Sequence, residues 1–229
     1  PQPIEISRQQ LPSFVMAWNR FMEDITGETG DNLIELGHRM KLHIWAQKKL
    51  HSGSLFERGL ALITLGNLGE RSQWPEISRI AQSDDSVLGY LACRALVRID
   101  APQAAPLVIP ILIHRSTWPA EWRAMLLKKM GAETIEPFLS AEIEKVPVEI
   151  LPGVLDFISL IPESQSTAVI ARFLIPDRDP EVLAAALRAL KRAGAQALLP
   201  LVKELLFHPY WPVRVQAAAV LGNLAQQDD

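Results

Sequence analysis

The sequence predicts an all-α fold, an α-solenoid or superhelix of about six stacked helix pairs with a helical cap at its N-terminal end. Two observations lead to this class. An apolar pattern returns about every 31 residues, and helix start and stop signals return with it. A period of about 20–50 residues is typical of proteins in which each helix pair covers the apolar face of its neighbour.

The repeat is clearest in two similar segments, residues 61–69 (ALITLGNLG) and residues 217–225 (AAAVLGNLA). Four further copies fit between them at spacings of 31 or 32 residues. Their anchor positions are all apolar: Leu65, Leu96, Leu127, Ile158, Leu190 and Leu221. The residues three positions later are also apolar, and those four positions earlier are small or apolar in five of six units, Arg123 being the exception. Since these spacings fall on one side of a helix, each unit is predicted to bury one face of its first helix.

Start and stop signals delimit these first helices. Four of the six residues that stand eleven positions before an anchor are good N-caps, namely Ser54, Asp85, Ser116 and Asp179. Pro147 and Tyr210 occupy the other two places. Glycines that tolerate a left-handed conformation follow three of the helices, at Gly69, Gly131 and Gly194. A second apolar helix is predicted after each first helix, for example over residues 105–113, 168–174 and 198–207.

Residues 1–51 lie outside this register and are predicted to form the cap, a pair of amphipathic helices over 11–25 and 32–50. Residues 52–229 are predicted to form the solenoid as one continuous domain. The chain stops at residues 226–229, just after a first helix, and it begins without methionine. We therefore expect either that the chain continues beyond its C-terminal end or that this uncapped end docks on another molecule. A homo-oligomer formed through that end is one such case.

Composition argues against most chemical functions. Lys and Arg number 23 against 26 for Asp and Glu, a net charge of −3, so no nucleic-acid partner is expected. Cys93 is the single cysteine and falls in an apolar stretch, which favours burial over reactivity. No two of the five histidines stand four residues apart, and these are His38, His43, His51, His114 and His208. The sequence thus predicts no metal site, no cofactor and no catalytic residues, and the chain is not expected to be an enzyme.

A basic ridge is predicted on the first helices, formed by residues two positions before or after the anchors: Arg94, Arg98, Lys129, Arg188 and Arg192. These positions point away from the buried face. The ridge would suit an acidic protein partner or an anionic membrane surface. The alternative is that cations near helix C-termini complement the helix dipole on a solvated face.

Two units carry a family resemblance. Residues 179–190 (DPEVLAAALRAL) and 211–218 (WPVRVQAA) resemble HEAT repeats of the short type also found in phycobilisome-lyase-like proteins, and the resemblance extends over about residues 52–229. The cap, the Trp18-Asn19-Arg20 stretch and the Trp-Pro pairs at 74–75, 118–119 and 211–212 resemble bacterial HEAT-domain proteins. That resemblance implies an N-terminal transmembrane helix preceding this chain, tethering it to the cytoplasmic side of the inner membrane, and a scaffold role for other proteins.

The predicted function is accordingly a non-catalytic protein–protein interaction scaffold or adaptor. The alternative is a HEAT-like enzyme, such as an alkylpurine DNA glycosylase, or a lyase-like ligand-binding protein. In the glycosylase alternative the candidate residues are Trp118, Trp122, Trp211 and Asp156. The Trp-Pro pairs are interpreted more simply as indoles that pack in turns before prolines that start helices.

Overall fold

The computed structural model describes residue 7 and residues 10–25, 27–194 and 196–225. In these ranges the chain is helical, with no β-strand and no helix long and apolar enough to cross a membrane. Short 3₁₀ turns precede the fifth and thirteenth helices, at Arg71–Gln73 and Gln196–Leu198. The α-helices are α1 (Leu11–Asp24), α2 (Glu28–Arg39), α3 (Leu42–Ser52), α4 (Leu55–Leu68), α5 (Trp74–Ala81), α6 (Ser86–Ile99), α7 (Ala101–His114), α8 (Ala120–Met130), α9 (Ala132–Ile143), α10 (Leu151–Ile158), α11 (Glu163–Ala171), α12 (Pro180–Ala193), α13 (Leu199–Leu205) and α14 (Trp211–Ala225).

The predicted buried face of the first helices is confirmed. The six anchors lie in α4, α6, α8, α10, α12 and α14, and all but Leu221 are fully buried. Leu221 is half-buried. The positions four residues before the anchors are buried as well, including Arg123 in α8. The sequence period therefore marks the side of each helix that packs into the core.

The chain divides into two compact units, Pro1–Ala104 and Ala105–Asp229. In the first unit α4 packs on α6, and in the second α8, α10, α12 and α14 pack in that order. The intervening helices α5, α11 and α13 each pack on the first helix that follows them. This nearest-neighbour stacking of helix pairs is that of an α-solenoid. The predicted domain boundary between residues 51 and 52 falls at the end of α3 within the first unit, and it stays a prediction.

Three predicted N-caps are confirmed. Asp85 and Asp179 each accept hydrogen bonds from two first-turn backbone amides. Ser54 forms a capping box, in which its own N–H donates to the carboxylate of Glu57 at 2.9 Å. The predicted cap at Ser116 is wrong, because α8 begins only at Ala120. Residues directly before a proline avoid the helical conformation, so Pro119 delays the start of that helix.

The predicted N-terminal pair of helices is correct for its first member, α1. It is wrong for the second, the helix predicted over residues 32–50. In place of one helix the chain forms α2 and α3, with a sharp corner at Met40 and Lys41. Lys41 adopts a left-handed conformation with φ of 55°, which no continuous right-handed helix allows. Gly30, which falls between the two predicted helices, lies within α2. The spacing of the apolar residues continues through this corner, so the sequence pattern gives no sign of the break between α2 and α3.

Candidate interaction surface

Helix α1 is fixed on the first repeat by a buried polar network. The amide of Asn19 donates to Thr64 Oγ1 at 2.9 Å, and the amide of Asn67 donates to Asn19 Oδ1 at 2.9 Å. Thr64 in turn donates to the carbonyl of Leu60 at 2.8 Å. Buried amides need their partners, so these bonds define a single register for α1 on α4. Trp18, the neighbour of Asn19, is buried in the same contact and donates from Nε1 to a backbone carbonyl in α2.

The C-terminal end of α1 occupies two residues of the predicted basic ridge. Arg94 forms an ion pair with Glu23, and Arg98 donates to the carbonyl of Met22 at 3.3 Å. A guanidinium near the last carbonyls of a helix complements the helix dipole. Both arginines of α6 therefore hold α1 in place. Some of their hydrogen-bond donors are used in these contacts and are not available to a separate partner.

The other ridge residues lie in the second unit and differ in surroundings. Arg192 joins α12 to α10 through Asp156, with 3.6 Å between guanidinium and carboxylate, and through the hydroxyl of Ser159 at 3.1 Å. Lys129 and Arg188 are exposed. The role of the ridge as a partner-binding surface stays a prediction. The contacts that its arginines make within the chain were not indicated by the sequence pattern.

An apolar groove lies between the N-terminal halves of α4 and α6. Its volume is 410 Å³, and it is lined by Leu55, Phe56, Gly59, Leu60, Ile63, Val87 and Leu91. Three of these side chains are more than half exposed, Leu55 at 56%, Phe56 at 59% and Val87 at 53%. Leu60 also belongs to the buried cluster that holds α1, so the groove lies next to the α1 contact. A concave, solvent-open and almost entirely apolar surface of this kind is suited to binding.

Two features of the sequence give the groove its shape. Gly59 allows close approach of the two helices, since a Cβ there would lie 3.0 Å from the Leu91 side chain. The exposed side chains stand at the first positions after the N-caps, Leu55 and Phe56 after Ser54, and Val87 two residues after Asp85. Large apolar residues in the solvated first turn of a helix are a signal that sequence analysis could have used and that our prediction missed.

A second group of side chains was also missed. His38, His43 and Glu70 offer ligand atoms that all lie within 4.8 Å of one another. Histidines of a helical metal-binding motif stand four residues apart on one helix, whereas these two lie on α2 and α3 on either side of the corner. Their approach depends on the left-handed Lys41, which the sequence did not indicate.

Two of the four candidates of the glycosylase alternative, Trp118 and Asp156, are engaged in contacts within the chain. Trp118 is only 2% exposed, so its indole is packed and does not face a ligand. The carboxylate of Asp156 is engaged by Arg192. Trp122 and Trp211 are exposed, which contradicts the interpretation of Trp211 as a packed indole. The absence of catalytic function stays a prediction.

Comparison with protein families gives a match in the C-terminal part of the chain. A family model described as HEAT repeats matches residues 167–229, the stretch that contains α12, α13 and α14. This match supports a HEAT-repeat protein, in agreement with the stacked helix pairs of both units. HEAT repeats commonly mediate protein–protein interaction. No curated protein shows significant similarity to the chain.

Proposed function

We propose that this chain is a non-catalytic protein–protein interaction scaffold that binds an amphipathic helix of its partner in the groove between α4 and α6. The observation that carries the proposal is the exposure of Leu55, Phe56 and Val87 around one apolar concavity. Helix-in-groove recognition places apolar side chains of one helix, spaced three or four residues apart, into such a surface. Helix α1 packs in the same manner next to the groove. Its side chains Val15, Trp18 and Met22, three or four residues apart, enter a buried apolar cluster that includes Leu60.

The energetics favour this use of the groove. Burying a large apolar side chain contributes about 1.5–3 kcal/mol. Burial of Leu55, Phe56 and Val87 against a partner therefore contributes apolar binding energy, from which the cost of ordering the partner is subtracted. The groove residues belong to helices fixed by capping at Ser54 and Asp85, so little reorganisation of this chain is needed.

The proposal is tested by affinity capture from lysate of the source cells with quantitative mass spectrometry. A Phe56→Asp, Val87→Asp variant should lose the captured proteins by tenfold or more, on the order expected when a charge enters an apolar contact. The matched control is Ile175→Asp, which changes a comparably exposed apolar residue in the second unit. Capture that is equal for wild type and groove variant, with both folded by circular dichroism, would contradict the proposal.

We further propose, from the family resemblance, that the chain is the cytoplasmic part of a bacterial protein tethered to the inner membrane, with short repeats of the phycobilisome-lyase-like type. What supports this is the order of cap, Trp18-Asn19-Arg20 and repeats punctuated by Trp-Pro. Fractionation of source cells tests it. The native protein should be found with inner membranes and should be released only by detergent, and recovery in the soluble fraction would exclude the tether.

Self-association near α14 is a related proposal. Phe207 is 87% exposed and Trp211 is 63% exposed, which is an unusual amount of aromatic surface within five residues. A second copy of the chain would cover this surface. Light scattering should show a dimer or larger species whose mass falls to 25.5 kDa in a Phe207→Ser, Trp211→Ser variant. A wild-type mass of one chain at all concentrations would exclude it.

A further inference from the structure

His38, His43 and Glu70 come from three elements but lie against one another. His38 is the penultimate residue of α2, His43 is the second residue of α3, and Glu70 follows the glycine that ends α4. The Nδ1 atom of His38 lies 3.6 Å from Oε1 of Glu70, and the two imidazole centroids are 5.3 Å apart. One ligand atom from each side chain falls within a mutual distance of 4.8 Å.

The backbone holds all three residues in place. The left-handed Lys41 turns the chain between the two histidines, and its N–H donates to the carbonyl of His38 at 2.9 Å. On the facing side, Gly69 has φ of 69°, and the N–H of Glu70 bonds back into the last turn of α4 at 3.0 Å. These bonds close a helix C-terminus of the Schellman type. The cluster is therefore set by two fixed corners of the backbone and does not depend on long flexible connections.

One polar atom of the cluster lacks the partner that buried groups normally have. Nδ1 of His43 is buried and has no hydrogen-bond partner in the described part of the chain. The 3.6 Å between His38 and Glu70 is too long for an N–H···O hydrogen bond. The Ser72 hydroxyl donates to the second carboxylate oxygen of Glu70 at 3.4 Å, while the first oxygen faces His38. A buried nitrogen without a partner, beside a second imidazole and a carboxylate, indicates a ligand.

We propose that His38, His43 and Glu70 bind a Zn²⁺ ion and leave one coordination position open to solvent. Two imidazoles and one carboxylate form a recognised zinc ligand set, and imidazole favours zinc over magnesium or calcium. Zinc–ligand bonds of about 2.0–2.2 Å place ligand atoms roughly 3.4 Å apart in a tetrahedron. The side chain of His38 is 43% exposed, so its ring can rotate inwards to close the remaining distance, and water reaches the open position from the same side.

The ion joins α2 and α3 to the turn after α4, where the N-terminal helices meet the first repeat. Because these ligands come together only in the folded chain, zinc stabilises the folded state by linkage. This inference is independent of the proposed groove, whose lining residues are all different.

Isothermal titration of the metal-free chain with zinc chloride tests the proposal, using protein without an affinity tag. One ion should bind per chain with a dissociation constant of about 10 μM or tighter, and excess zinc should raise the melting temperature. Magnesium chloride should do neither. His38→Ala and Glu70→Gln should each weaken zinc binding by about tenfold or more.

The matched control is His51→Ala. His51 also lies on α3 and faces a carboxylate, with its Nδ1 at 3.9 Å from Glu76, but no second imidazole is part of that pair in the described structure. The control should bind zinc as the wild type does. Glu70→Gln keeps the size of the side chain, so its loss of binding is interpretable when circular dichroism shows a folded protein. Absence of saturable zinc binding to the wild type, or equal weakening by His51→Ala, would overturn the site.

Discussion

At the scale of single residues, Arg123 is the one exception to the pattern of small or apolar residues four positions before each anchor. It stands where the other units have a small or apolar residue, and it is buried. Its guanidinium lies 4.3 Å from the ring centre of Phe157 and donates to the carbonyl of Leu112 at 3.2 Å. Its Nε is buried without a partner, and burial lowers the pKa of the guanidinium from its ordinary value. The ring and the carbonyl offset part of the cost of removing this charge from water.

Substitutions at Arg123 should separate packing from charge. Arg123→Ala leaves a cavity beside Phe157 and should destabilise the protein by about 2–4 kcal/mol. Arg123→Met fills most of that space without a buried charge and should change stability by less than about 1 kcal/mol, in either direction. Denaturant unfolding followed by circular dichroism measures both. If the methionine variant is as unstable as the alanine variant, the charge itself is required.

His208 is a buried polar residue whose two ring nitrogens are both used. Nε2 lies 3.1 Å from the carbonyl of Pro176, and Nδ1 accepts from the N–H of Tyr210 at 3.1 Å. This pattern requires the tautomer with hydrogen on Nε2, and it links the turn before α12 to the turn before α14.

Replacement of His208 by alanine should cost about 1–3 kcal/mol, because it leaves a part-buried carbonyl and a backbone amide without their partner. Glu204→Ala is the control, since that side chain is exposed on α13 nearby and its loss should matter by less than about 0.5 kcal/mol. Thermal melting of both variants measures the difference. Equal melting temperatures would show that water replaces the histidine without loss.

At the scale of elements, the docking of α1 depends on the pairing of Asn19 with Asn67 and Thr64. Asn19→Ala removes both bonds and leaves the buried amide of Asn67 without its acceptor, so we expect a loss of about 1–3 kcal/mol. Hydrogen exchange should show faster exchange of α1 amides, with α12 unchanged. The control is Asn32→Ala on the exposed surface of α2. Unchanged exchange in α1 would mean that its apolar face alone fixes it.

The contact between α7 and α9 is predicted to depend on pH. Lys145 and His114 donate hydrogen bonds to Glu142 at 2.9 and 3.1 Å, and they hold the pKa of that carboxyl below its ordinary value. Since the folded state favours the ionised form, this contribution to stability is present above about pH 4.3 and is lost as pH falls through the lowered pKa. The stability difference between wild type and Glu142→Gln should therefore shrink towards zero on acidification. A difference that is constant from neutral to acidic pH would contradict this assignment.

At the scale of the whole molecule, the sequence predicted what is local and periodic. The 31-residue period located the anchors in six helices, and Ser54, Asp85 and Asp179 marked three of their starts. Such features depend on residues three or four apart, which a one-dimensional pattern records. The corner at Lys41 was missed because a left-handed lysine has no propensity signal.

The candidate site was less predictable because it depends on which elements meet. The sequence pattern placed Arg94 and Arg98 together on α6, but their engagement by the end of α1 joins residues more than 70 positions apart. The groove likewise needs Gly59 of α4 to face Leu91 of α6. Side-chain pattern gives the face of a helix, whereas the identity of the neighbour on that face is set by tertiary packing.

The central claim, that this chain binds a protein partner through the groove between α4 and α6, is tested most directly by photo-crosslinking in the source cells. A photoreactive phenylalanine analogue at Phe56 should give a discrete crosslinked adduct, because this side chain is 59% exposed on the groove and would be covered by the partner. The same analogue at Phe138, an exposed position on α9 in the second unit, should give none. An adduct at Phe56 that disappears with Val87→Asp is the result we predict. No adduct at Phe56, or the same adducts at both positions, would contradict the claim.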